Sequence, residues 1–482
     1  VKTRSRLPIT LGGAALSLAL AGCLVGPEYR SPAPTTPTHW SQATGVGTNG
    51  GANLARWWTT FHDPELDSLI RRGVSSNLDL RVAAIRVREA RAARGIAASA
   101  LWPTADASGS YARERVSRNG LTPAPANASP EHNLYQAGFD AAWELDLFGG
   151  ARRAVEAASA DLAAAEFARE NALVTLLAEV ARNYVEARGF QRQLAIAAAN
   201  LQAQQDALDV TRARFNGGLT GELDVTQAAA LLATTSAAMP PLESSLQASI
   251  HHLGTLLGQA PSALTGELVA AAPIPSAPPE VPLGLPSDLL RRRPDIRVAE
   301  RQLAAANARI GVATADLFPK FSLTGAAGLS SVSASDWFTG GSQFWSLGPT
   351  VQWRLFDAGR IRANIRLQSA LQEEALTNYE KTVLGAMEEV ENALIAYAKE
   401  RAHYQALAAA EAANRRSLEL ASELYANGLT GYLNVLDAQR SLYQASDQLV
   451  QSERAVSVNV IALYKALGGG WEVPTASPLT QK

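Results

Sequence analysis

Cysteine is nearly absent from this chain of 482 residues. The single one, Cys23, excludes an internal disulfide framework. Six scattered histidines offer no spacing that reads as a metal site. A net charge of −2 argues against a bulk electrostatic grip on nucleic acid. Only 6% of residues are aromatic and only two are methionine, whereas alanine is abundant. That balance suits close helix–helix packing better than a bulky core. There is no Ser/His/Asp order, phosphate loop or dinucleotide fingerprint, so no enzyme and no cofactor are expected. At about 150 residues per domain the length allows about three domains, or one body of very long helices.

The first residues read as an address. Lys2, Arg4 and Arg6 precede an apolar run from Leu7 to Ala21, too short to span a bilayer comfortably. The run ends in Leu20-Ala21-Gly22-Cys23, a pattern that resembles a bacterial lipobox. The resemblance implies a signal peptide over residues 1–22, cleavage before Cys23, and covalent lipid such as palmitate on that residue. The plainer alternative is an ordinary signal peptide with an incidental cysteine. Residues 23–56 then form the lipidated N-terminal tether, and Ser31 to Asn53, rich in Pro, Thr, Gly and Ser, reads as extended.

The strongest organisational signal is an internal duplication. Gly218-Leu219-Thr220-Gly221-Glu222-Leu223-Asp224-Val225 matches Gly428-Leu429-Thr430-Gly431-Tyr432-Leu433-Asn434-Val435 at an offset of 210, which also aligns Glu179-Val180 with Glu389-Val390 and Trp143 with Trp353. Upstream, Asp79-Leu80-Arg81-Val82-Ala83 matches Asp295-Ile296-Arg297-Val298-Ala299 at an offset of 216. The repeats are read as 57–258 and 284–468, with a Pro-rich link at 259–283 and a tail at 469–482. Each repeat reads helix, strand, strand, very long helix, tight turn, helix. No proline falls between Gly150 and Asn216 or between Gly359 and Ala426, so each stretch predicts a helix about 100 Å long. Leu173, Leu177, Val180 and Tyr184, and likewise Val383, Met387, Val390, Leu394 and Tyr397, step by fours and threes as in a coiled coil. A single globular core cannot swallow a helix of that length. The glycines of the Gly-Leu-Thr-Gly turns tolerate the left-handed backbone that ends a helix. Return helices follow over Glu222 to Gly258 and Tyr432 to Leu467, the first expected to break at Pro240-Pro241.

Tyr135 to Leu147 alternates cleanly: odd positions are Tyr, Ala, Phe, Ala, Trp, Leu and Leu, while even positions include Asp140, Glu144 and Asp146. One apolar and one acidic face fit a tilted membrane strand with lipid outside and water inside. The partner in the second repeat sets Leu347, Val351, Trp353 and Leu355 against Thr350, Gln352 and Arg354. Strands at about Thr104 to Ala112 and Lys320 to Ser330 alternate more weakly. Trp102, Tyr111, Phe318, Phe321, Phe344 and Trp345 fall near strand ends, where an aromatic girdle would sit. A sheet on a soluble core is the competing reading. Four strands cannot enclose a lumen, and open edges are not tolerated in lipid. A dimer gives eight strands with a filled interior, whereas a trimer gives twelve and a channel. Asp140, Glu144 and Asp146, repeated around an axis, favour cations in a lumen, opposed by Lys320 and Arg354.

Several segments are similar to motifs of the OprM/NodT branch of TolC-like outer-membrane efflux lipoproteins. They are Gly284-Leu285-Pro286-Ser287-Asp288-Leu289-Leu290-Arg291-Arg292-Arg293-Pro294-Asp295-Ile296-Arg297, Trp143 to Gly149, and Tyr432 to Arg440. Trp57-Trp58 with Phe61-His62-Asp63-Pro64 resembles the opening of that family. The resemblance implies a mostly α fold with a membrane β-barrel portion: a homotrimer whose twelve-stranded barrel sits in outer-membrane lipid and continues as a twelve-helix α-barrel through the periplasm. It also implies the exit duct of a tripartite pump, with a periplasmic adaptor and a proton-driven inner-membrane RND transporter as partners. Leu433 would be an apolar constriction, and Asp437 with Arg440 part of the polar network that holds the tip shut. The competing view of the last two is a surface ion pair one turn apart. Gly218, Leu219, Thr220, Gly221, Gly428, Leu429, Thr430 and Gly431 would be the adaptor-contact turns, with plain capping as their simpler role. A type I protein-secretion duct and a periplasmic coiled-coil scaffold remain as alternatives.

Overall fold

The computed structural model describes residues 24–41, 54–117, 119, 129–276, 281, 283 and 285–472. Cys23 and residues 1–22 lie outside the described residues, as do 42–53 and 473–482. In chain order the main elements are α1 (Pro64–Ser76), α2 (Leu78–Ser99), β1 (Thr104–Arg115), β2 (Glu131–Leu145), α3 (Gly150–Asn216) and α4 (Glu222–Leu256). The second half supplies α5 (Pro294–Ala315), β3 (Lys320–Ser331), β4 (Gln343–Gln352), α6 (Arg360–Ala426) and α7 (Tyr432–Ala466). The long helices α3 and α6 have 67 residues each, and α4 and α7 have 35 each.

The repeats are a division of sequence and not of space. One compact unit, called here the sheet unit, takes residues up to 33, 87–165 and 299–379. The helical unit takes 34–86, 166–298 and 380 onward. Each repeat contributes to both.

In the sheet unit the four strands run antiparallel in the order β1-β2-β3-β4. Among the described residues both edge strands therefore keep an unpaired side. Gly138 stands directly opposite Gly328, and a Cβ on Gly328 would fall 2.4 Å from the Ala137 carbonyl oxygen and 2.7 Å from Gly138 Cα. The ring of Phe344, directly across from Gly328 on β4, covers the gap that the missing side chains leave. The segment from Leu24 is extended, but it is docked and not a free tether. Arg153, buried on α3, donates to the carbonyls of Val25 (3.1 Å) and Gly26 (3.4 Å). Asn307 of α5 donates to the Pro27 carbonyl, and Tyr29 and Ser31 both donate to Glu300.

The helical unit has the aromatic core. Trp57, Trp58 and Phe61 are buried, and Trp57 stacks on Tyr464 at 5.2 Å between centroids. Asp63 caps α1 by accepting from the amides of Glu65 and Leu66, and its second oxygen accepts from the Tyr184 hydroxyl. Leu173, Leu177, Val180 and Tyr184 are all buried, as are Val383, Val390, Leu394 and Tyr397; Met387 is half-buried beside buried Ala386. Pro240 and Pro241 do not interrupt α4, contrary to the expectation. The carbonyls they strip of donors belong to Ser236 and Ala237, which face water together with the prolines, so solvent replaces the lost bonds.

The duplication survives as paired anchors. At the end of α4 the Leu256 carbonyl accepts from the Asn77 side chain at 2.8 Å; at the end of α7 the Ala466 carbonyl accepts from the Arg293 guanidinium at 2.8 Å. These donors are equivalent at the offset of 216, and the carbonyls at 210. Arg293 also forks onto Asp295 (2.7 and 3.0 Å) and reaches Glu389 at 2.7 Å. Burial works against its charge, but these two carboxylates outweigh it and hold the guanidinium firmly protonated.

Candidate functional site

Residues directly opposite one another in a sheet share a face, so the register assigns both faces of the wall. One face carries Ala105-Ala141-Gly325-Leu347, Ala107-Phe139-Ala327-Trp345, Trp143-Leu323-Pro349 and Leu145-Phe321-Val351. The other carries Ser110-Gln136-Ser330, Asp106-Asp140-Ala326-Ser346, Thr104-Ala142-Thr324-Gly348 and Glu144-Ser322-Thr350. On the apolar face Phe139, Trp345 and Leu347 are 68–80% exposed, a pattern a water-bathed surface does not sustain. Aromatic groups bracket this face. Trp143 and Trp353 donate to the carbonyls of Leu101 and Leu317 at the helix-joined end, the same bond in both repeats. Tyr111, Tyr135, Trp337 and Phe338 form a chain of ring contacts of 4.8–5.7 Å at the hairpin end. Phe344, expected in a girdle, instead stands on the polar face over the glycine pair.

The charges of the polar face differ from those expected. Asp140 is in place, and Asp106 stands directly opposite it; the weak alternation of β1 hid this partner. Glu144 shares the face but lies 4.0 Å from the Lys320 ammonium, which offsets part of its charge. Asp146 is not a wall residue. β2 stops at Leu145, and the Asp146 carboxylate accepts from the amides of Ala151 and Arg152 and from the Arg152 guanidinium. It caps α3 where Gly149 turns the chain at φ 79°, and Asp357 does the same for α6 beside Gly359 at φ 85°.

A second cluster lies at the turns of the helical unit. Gly218 (φ 71°) and Gly428 (φ 72°) end the long helices in the same way. The Leu219 amide bonds the Arg214 carbonyl and the Leu429 amide the Leu424 carbonyl, at 2.8 and 2.9 Å. Thr220 donates to Asp224, and Thr430 accepts from Asn434 at 2.5 Å, so both threonines brace the turn that follows. Gly221 and Gly431 are the N-caps of α4 and α7. Leu219, Leu223 and Leu429 are about 70% exposed. Leu208, Ala228, Tyr432, Val435 and Leu436 pack together beneath, and the Arg214 guanidinium covers the Tyr425 ring at 4.3 Å. Tyr432, the position where the first repeat has Glu222, is therefore a core residue. Leu433, Asp437 and Arg440 share the opposite, exposed stripe of α7, with Arg440 3.8 Å from Asp437.

A strand quartet with one apolar and one polar face, joined to helices of 67 residues in a duplicated chain, defines a transport channel of the bacterial outer membrane. The chain matches the outer membrane efflux protein family over residues 69–259 and 285–469, and it belongs to that family. It is 35% identical to the pyoverdine export outer membrane protein OpmQ of Pseudomonas aeruginosa, over 95% of this chain and 97% of that protein. Nodulation protein T of Rhizobium leguminosarum bv. trifolii is 33% identical over 94% and 96% of the two chains. The structure is similar to that of the outer-membrane channel OprN, with a TM-score of 0.88 and 38% identity over 93% of this chain and all of that one. The protein is thus an efflux channel of the Gram-negative outer membrane with a TolC-like fold, and its family works in transport.

Proposed function

We propose that three copies of this chain form the passive exit duct of a tripartite efflux system of the RND type, docked to a periplasmic adaptor and driven by an inner-membrane transporter. One observation carries the reading: a two-faced sheet of four strands whose edges, β1 and β4, have no strand partner among the described residues. Unpaired edges in lipid leave several kcal/mol per backbone group unsatisfied, so the sheet must close with sister copies. Three copies give twelve strands and a lumen lined by the polar face. Three Asp106-Asp140 pairs then favour cations. At the tip, Leu433 forms the apolar constriction, and Asp437 with Arg440 forms the latch between copies. Three like carboxylates converging on an axis repel unless paired or hydrated, which suits a latch that must reopen. The Gly-Leu-Thr-Gly turns, with their exposed leucines, offer the adaptor a greasy contact. Lipid on Cys23 anchors each copy.

Electrophoresis of the unheated protein in mild detergent, together with planar-bilayer recording, tests the reading. The expected result is a heat-modifiable trimer that conducts. A monomer without conductance would refute it.

A further inference from the structure

β1 and β2 outrun their neighbours. β3 ends at Ser331, level with Tyr135, whereas the β1–β2 ladder continues through Arg113-Asn133 to Arg115-Glu131. By the parity of the register Arg113 and Arg115 stand on the same face as Tyr111, Phe139 and Trp143. That is the face assigned to lipid, and the inference rests on the channel reading in this respect. From Tyr135 to Leu145 the strand takes about ten residue steps, about 33 Å along the strand and about 25 Å of height at the tilt of a membrane barrel. The apolar band therefore ends at the Tyr111-Tyr135-Trp337 cluster. Arg115 lies four residues beyond Tyr111, about 10 Å higher after the tilt. The helix-joined strand ends face the periplasm, so this projecting hairpin is on the outer side.

Two guanidiniums facing outward at headgroup height need a reason. Both pair with one carboxylate: Glu131 lies 3.1 Å from Arg113 and 3.2 Å from Arg115. Their side chains remain 69% and 73% exposed, with donors left over. Asn133, between them and the girdle, accepts from the Tyr111 hydroxyl at 3.1 Å. Among the described residues the other charged pair of the hairpin, Glu114 with His132, belongs to the opposite face. Among the described residues the outward patch thus carries one positive charge per chain beyond its carboxylate, set directly above an aromatic belt. We propose that Arg113 and Arg115 bind the phosphates of a phosphorylated glycolipid of the outer leaflet, whose acyl chains pack on the Phe139-Trp345 face below. Planar guanidiniums match phosphate oxygens bidentately, and Glu131 holds the two forks at a fixed spacing.

Native mass spectrometry of the full trimer in phosphatidylcholine nanodiscs, with bisphosphorylated lipid A added, tests this directly. Retention by the wild-type trimer is expected to exceed that by the R113A/R115A variant about fivefold or more. E131Q, which frees both arginines, is expected to retain more than wild type. Dephosphorylated lipid A is expected to lose the advantage, and an equal concentration of inorganic phosphate is expected not to displace the lipid. Equal retention by wild type and R113A/R115A, or indifference to the lipid phosphates, would overturn the proposal and leave exposed ion pairs only. Displacement by inorganic phosphate would overturn it in favour of a soluble-anion site. Trimer mass and single-channel conductance, read on the same samples, report on the channel reading separately.

Discussion

The paired anchors at the ends of the return helices allow a quantitative test inside one molecule. Removing the Arg293 side chain takes away the donor to the buried Ala466 carbonyl and strands two carboxylates, Asp295 and Glu389. Breaking a buried ion pair costs about 3–5 kcal/mol. Here Asp295 and Glu389 keep side-chain exposures of 29% and 43%, so water recovers part of the loss and the lower end, about 3 kcal/mol, applies. Arg293→Lys keeps the charge but not the fork, and about half that loss is expected. Asn77→Ala removes a neutral bond to Leu256 and the acceptor of the Leu80 amide, together about 1–2 kcal/mol. Unfolding of a detergent-solubilised membrane oligomer is read best as a rate. The half-life of the wild-type oligomer against heat, followed by loss of the slow-migrating band, is expected to shorten most for R293A. That loss should reach about two orders of magnitude if the anchor is already broken when the barrier is crossed, against about 5- to 30-fold for N77A. Equal half-lives for R293A and N77A, within about twofold, would refute the assignment of the ion-paired anchor as the stronger one.

Other outcomes follow from the wall, the tip and the N-terminal segment. Gly328→Ala drives a Cβ into the Ala137 carbonyl and the Gly138 backbone; a loss of about 1–3 kcal/mol and a lower yield of assembled protein are expected on unheated gels. Asp106→Asn with Asp140→Asn is expected to lower cation preference in reversal-potential recordings, and an unchanged potential would remove these residues from the lumen. Asp437→Ala with Arg440→Ala is expected to raise single-channel conductance; an unchanged value would leave an exposed pair worth about 0.2–0.5 kcal/mol. For the N-terminal segment the pH dependence has a definite sign. Burial opposes the charge on Glu300, but bonds from Arg301, Ser31 and Tyr29 outweigh it and hold the carboxyl below its usual value of 4.5. Tyr29, pushed up to about 12 chiefly by burial, stays a donor throughout. The stabilisation is therefore complete above the ordinary carboxyl range and fades as pH falls through the lowered value. Hydrogen exchange at residues 29–31 is expected to be slow near neutral pH and to approach that of Glu300→Gln in acid.

Much of this architecture was legible because it is periodic. A repeat offset held through matched turns, and two proline-free stretches gave the long helices to within a residue or so of Gly150–Asn216 and Arg360–Ala426. What escaped depends on neighbours. Alternation carried β2 on to Leu147, because Asp146 looks the same as a strand carboxylate and as a helix cap. The signal that separates them is Gly149, which matches Gly359 at the offset of 210, with a carboxylate just upstream of each. Asp106 could not be singled out until register set it against Asp140. Pro240-Pro241 signals a break only where the freed carbonyls are starved of donors, whereas here they meet water. The docking of residues 24–31 depends on Arg153, Glu300 and Asn307, far away in sequence, and composition alone shows only an extended segment.

The unequal anchors also bear on how the gene can change. The first repeat keeps Asp79 and Glu179 where the second has Asp295 and Glu389, yet supplies Asn77 where the second supplies Arg293. Glu179 has turned to Arg182, 3.2 Å away. A recombinant built from two first halves would secure neither return helix with a guanidinium, whereas one built from two second halves would secure both, because Asn392 stands where the first half has Arg182. The halves have diverged far enough that a crossing-over which doubled the first would leave both return helices on the neutral anchor.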